Sequence, residues 1–124
     1  MDRKVSGIRI GVTVYRIGLA VGWLGLFAVS VKALQLMGLN SAGTVFISDF
    51  DHPWRAQFNT DLGLHLLLAG SWMIYRTRSL AIGALCAVLA INLGGLFTLA
   101  YVLVASFRAE GDFRKVLLGC RYSN

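Results

Sequence analysis

Apolar positions along the chain gather into three blocks with short polar breaks between them. From Gly11 to Leu39 only Arg16 and Lys32 carry charge. From Leu62 to Tyr75 the run is broken only by His65 among ionisable groups with charge near neutral pH, and from Leu80 to Phe107 no residue is charged. Blocks of this length, apolar all round rather than striped, predict helices in an apolar medium. The reading is three transmembrane helices at about 11–39, 53–76 and 80–107, a loop at 40–52 and a tail at 108–124: an all-α integral membrane bundle forming a single domain. The first block follows a basic leader, MDRKVSGIRI, with Arg3, Lys4 and Arg9. It exceeds a signal peptide's apolar core of roughly 7–15 residues and no small-x-small cleavage site follows, so it reads as a retained span.

The second helix poses a length problem. Leu62–Tyr75 is 14 residues, about 21 Å of helix against a hydrocarbon core of about 30 Å. Pro53 suits the first helical turn, where its missing N–H leaves no gap, with Asp51 or His52 as cap. Starting there gives 24 residues and carries Asp61 below the headgroups. Trp54, Phe58, Asp61, His65, Leu68 and Trp72 then share one face. Lys32, counted back from Asn40, falls at a similar depth. A lone charge at mid-bilayer costs about 2.5–3.5 kcal/mol, so a Lys32–Asp61 pair is expected, with His65 one turn deeper and Asn92 of the third helix facing it. Such a cluster either fixes helix register or handles ions or protons.

Small residues mark two packing faces. Gly11, Gly18, Gly22 and Gly25 lie on one stripe of the first helix, with Lys32 further along it. Gly83, Ala87, Ala90 and Gly94 form another on the third. Glycine is common in membrane helices, so the stripes are read as packing faces by their alignment rather than by their number. Arg16, off the stripe, is expected to snorkel to headgroups.

Composition agrees with the blocks: 56% hydrophobic, 15% charged and one proline in 124 residues, where soluble domains carry about 25% charged residues. The formal charge of +6 suits anionic headgroups, and no basic module for nucleic acid is present. Cys86 and Cys120 make no metal or redox spacing. Asp49, Asp51 and His52 of the loop are candidate ligands beside Asp61 and His65, but no ligand motif ties them, so neither metal nor cofactor is expected. In the tail, Phe113, Val116, Leu117 and Cys120 repeat at helical spacing between Asp112 and Gly119, predicting a short interfacial helix; an exposed turn is the alternative.

Asp51 with Pro53-Trp54, Asp61, Trp72, Tyr75, Gly94-Gly95, Thr98 and Ala100-Tyr101 resembles a family of small three-helix membrane proteins without established activity. His52 intervenes here where that family's aspartate adjoins the proline. The resemblance implies the architecture and no chemistry.

The expected role is therefore not enzymatic. It is an accessory or assembly subunit that packs through its glycine faces in a bacterial-type inner or plasma membrane, with lipid, a second copy or a larger membrane protein as partner. The alternative is an oligomeric ion, proton or small-molecule transporter built on Lys32, Asp61, His65 and Asn92. Placing the N-terminus in the cytoplasm leaves the acidic loop outside, but basic residues then divide almost evenly between the two sides.

Overall fold

A computed structural model describes residues 2–123, with side chains from Arg9 onward; Arg3 and Lys4 of the leader lie outside the described side chains. Six α-helices follow in order: α1 (Asp2–Met37), α2 (Asn40–Ser48), α3 (Pro53–Arg76), α4 (Leu80–Leu93), α5 (Gly95–Arg108) and α6 (Phe113–Leu118). Single 3-10 turns follow α2 (Asp49–Asp51) and α6 (Gly119–Arg121), and no strand occurs among the described residues. Within α1, Arg9–Met37 is long and apolar enough to cross a membrane.

Helix α1 ends at Gly38, whose φ of +72° breaks the helix at little cost. Residues 40–52, expected as a loop, are mostly helical. Ala42, Val45, Phe46 and Phe50 recur at i, i+3, i+4 and i+8, and the Phe46 and Phe50 rings meet edge to face at 5.4 Å. The Ser41 hydroxyl donates to the Met37 and Gly38 carbonyls, closing the corner between α1 and α2. Arg55 then ties α3 back to Asp49 at 3.0 Å. Helix α3 opens with Pro53 in its first turn after an extended His52, which provides no side-chain cap bond.

The expected third span, 80–107, is not one helix. Gly94 sits at φ 56°, ψ −133°, a conformation open in practice only to glycine, and separates α4 from α5. The chain reverses there. Helix α4 runs antiparallel to α3, with Gly83 against Ile74 and Gly70 against Ala87. Helix α5 returns antiparallel to α1: Gly95 reaches Leu26, Trp23 Nε1 donates to the Leu96 carbonyl at 2.8 Å, Arg16 meets Ser106, and Gly111 abuts Val12. Each arm of 14 residues is about 21 Å long. The contact seam on α1 is Val12, Arg16, Leu19, Trp23, Leu26 and Ser30, the 3.5-residue rhythm of antiparallel helix pairing.

One consequence is that α1's N-terminal part, the end of α3, the start of α4, the end of α5 and the tail share one end of the molecule. Tyr15 touches Phe113 and Trp72 touches Tyr101 there. Away from this end, α1 and α3 extend past the hairpin, and most of their side chains beyond Leu26 and before Ala69 are exposed. The buried set is made of small or slender side chains, Val12, Met73, Ala87, Ala90, Ala105, Ala109 and Val116, while large leucines, isoleucines, valines and phenylalanines lie on the outside of every helix from α1 to α5.

Candidate functional site

Of the expected polar cluster, only Asp61 and His65 meet. They are one turn apart on α3, and the imidazole donates from Nδ1 to the Asp61 carbonyl at 2.8 Å, with the carboxylate at 3.5 Å. Both are exposed, 59% and 68%. The Lys32–Asp61 pair is not formed: Lys32 is exposed and has no ion-pair partner among the described residues. The reason is topological, since α1 packs on α5 and α3 on α4, so equal depth does not make Lys32 and Asp61 neighbours. Asn92 also fails to face His65. The α3–α4 register sets the two at one level, but the small face of α4 is turned to α3 and Asn92 points outward, donating to the Val88 carbonyl at 2.8 Å.

The loop group disperses as well. Asp49 is held by Arg55, while Asp51, His52, Pro53 and Trp54 are exposed, Trp54 lying 6.4 Å from Phe58. His52, just before α3, and His65, within it, are separated by about 20 Å along the helix, too far to share an ion. Among the described residues no group of three or more His, Cys, Asp or Glu could hold a metal.

The two small-residue stripes have opposite fates. Gly83, Ala87 and Ala90 are buried, Gly83 against Ile74 and Ala87 against Gly70 of α3, so this stripe packs within the chain. On α1, Gly11, Gly18 and Gly25 have open space where a side chain would project, and Gly22 would meet only the tip of Leu99 at 3.8 Å. These glycines each precede a seam position by one residue, so their face is turned about 100° from α5.

A cluster that the sequence did not disclose lies at the shared end. Arg16, expected to snorkel, instead turns inward. Its Nε donates to Ser106 Oγ at 3.0 Å, its Nη2 to the Ser106 carbonyl at 2.8 Å, and its guanidinium covers the Phe107 ring at 4.1 Å. The Arg76 guanidinium sits 5.2 Å from both the Trp72 and Tyr101 rings, themselves edge to face at 5.9 Å. The tail is docked on this group. Trp72 Nε1 donates to the Leu117 carbonyl at 3.0 Å, Arg121 Nε to the Tyr75 carbonyl at 2.9 Å, and Val116 is buried with Ala105 and Ala109. Asp112 caps α6 by accepting from the Arg114 and Lys115 amides at 2.8 and 3.4 Å. Basic residues spread along a sequence give no sign of meeting until a reversal such as Gly94 is known.

Comparison of this all-helical chain with models of protein families, with curated proteins and with solved structures finds no match.

Proposed function

We propose that the chain is a multi-pass membrane protein in which α1 and α3 span the bilayer, the α4–α5 hairpin enters it from one side, and the unpartnered faces recruit a second copy or a larger membrane protein. From Arg16 to Met37, α1 covers about 32 Å, and α3 about 36 Å, enough for a core of about 30 Å. The hairpin arms reach only part of that depth, and Gly94, at the level of Leu26, marks their limit. Outward-facing leucines and valines around a small core rich in alanine suit lipid as solvent, where close backbone approach rather than burial of bulk drives packing. The resemblance over Asp51–Tyr101 also points to a membrane protein.

Orientation follows from charge. Arg9, Arg16, Arg76, Arg78, Arg108, Arg114, Lys115 and Arg121 belong to the shared end, against Lys32 and Arg55 toward the other. Under the positive-inside rule both termini are cytoplasmic, in a bacterial-type inner or plasma membrane, and α2 lies along the outer surface with its apolar side down.

The observation that carries the assembly role is the open glycine face of α1 together with an exposed Lys32 that has no ion-pair partner among the described residues and an exposed Asp61 whose carboxylate meets only His65. In lipid each charge would cost up to about 2.5–3.5 kcal/mol, a cost that a neighbouring chain can remove by supplying the opposite charge. Gly18→Leu tests this. It disturbs no contact within the chain, so the monomer keeps its stability in detergent while the oligomer or co-purifying partner is lost. An oligomeric mass unchanged by Gly18→Leu, Lys32→Met and Asp61→Asn would sink the assembly role. Loss of an ion or proton flux in the last two variants, with association intact, would favour the transporter alternative.

A further inference from the structure

Two adjoining cavities of about 410 and 260 Å³ open at the shared end, with Arg76, Ala105 and Arg108 common to both. Lys115 lines the smaller one, and among the described residues no carboxylate lines either. Arg76, Arg108 and Lys115 thus converge without an ion-pair partner among the described residues. Aromatic faces attend two of them, Trp72 and Tyr101 at Arg76 and Tyr122 at 5.5 Å from Lys115 Nζ, but rings supply no counter-charge. Arg76 Nε is buried and has no acceptor among the described residues. Three cations held together by the docking of the tail repel one another unless an anion sits between them.

The larger cavity adds a second kind of surface. Phe97, Ala100 and Val104 line it at i, i+3 and i+7, an apolar strip that runs along α5 from the cationic rim toward the Gly94 corner. A rim of guanidinium and ammonium donors above an apolar strip fits a molecule with an anionic head and an apolar chain. We infer that this cleft binds the phosphodiester headgroup of an anionic phospholipid, the phosphate between Arg76, Arg108 and Lys115 and one acyl chain against Phe97, Ala100 and Val104. The inference rests on the membrane reading above. Phosphate suits the rim because guanidinium offers paired N–H donors to its oxygens, and the apolar strip selects a lipid over a free anion.

The test uses the full chain in detergent micelles doped equally with phosphatidylglycerol and phosphatidylcholine, with retained lipid counted by native mass spectrometry. Carbonate-resistant retention of the wild type in membranes is scored first, so failure of the membrane reading is seen before lipid is added. Losing two charge-assisted contacts predicts that R108Q/K115Q lowers the preference for phosphatidylglycerol by about tenfold or more. R78Q/R114Q, which removes equal charge outside both cavities, keeps it. R108K/K115R also keeps it, separating charge from support of the tail. Excess inorganic phosphate leaves the lipid bound. Preference undiminished in R108Q/K115Q, lost equally in R78Q/R114Q, lost in R108K/K115R, or abolished by inorganic phosphate overturns the proposal.

Discussion

A Cβ placed on Gly83 would lie 2.9 Å from the Ile74 Cα, and one on Gly70 3.1 Å from the Ala87 Cβ, whereas at Gly63 it would meet nothing. Identical residues therefore carry opposite predictions. Gly83→Ala forces α3 and α4 apart and should lower stability by about 1–3 kcal/mol, read as an earlier midpoint in detergent unfolding. Gly63→Ala should stabilise by up to about 1 kcal/mol through helix propensity alone. Gly119 is a stricter case. Its φ is +54° and the position of a Cβ there is already taken by the Arg76 backbone, so Gly119→Ala should release the tail and expose Trp72 to quenching by acrylamide. Ser106 is buried, 1% exposed, and accepts from Arg16. Ser106→Ala leaves that guanidinium one acceptor short and should cost about 1.5–3 kcal/mol in the same unfolding assay.

Among the elements, Pro53–Arg76 was readable because a proline opens it and a basic turn closes it, two signals that do not depend on hydrophobic period. Helix α2 was missed because serine, threonine and glycine interleave its short apolar side, and a helix of nine residues holds only about two and a half turns of pattern. The break at Gly94 was hidden for a different reason. In a segment apolar on every side, periodicity is silent, and Gly94 read as part of a packing stripe rather than as a corner. The candidate cluster failed with it: depth along a helix can be counted from sequence, but the helix it faces cannot. Gly94→Ala should therefore be the most disruptive single change at the level of elements. A side chain is strained by about 1–3 kcal/mol in that conformation, and a continuous helix from Leu80 to Arg108 would relieve it. The expected outcome is loss of the Trp23 and Arg16 contacts to α5, seen as a changed Trp fluorescence spectrum and a lower unfolding midpoint.

At the scale of the molecule, the reversal between α4 and α5 decides the arrangement, because it gathers the cations at one end, leaves the outer parts of α1 and α3 without partners among the described residues and forms the cleft at Arg76. The two free cysteines make it measurable, since Cys120 is exposed in the tail and Cys86 is half-buried in α4. With Cys86→Ser as background, Cys120 and an added Ser48→Cys are labelled in sealed membrane vesicles by an impermeant maleimide, in preparations of either orientation. A hairpin that turns back at Gly94 puts Cys120 and residue 48 on opposite sides of the membrane, so each preparation labels one and spares the other. A third helix that crosses from Leu80 to Phe107 puts them on the same side, and labelling of both together in one orientation would contradict the account.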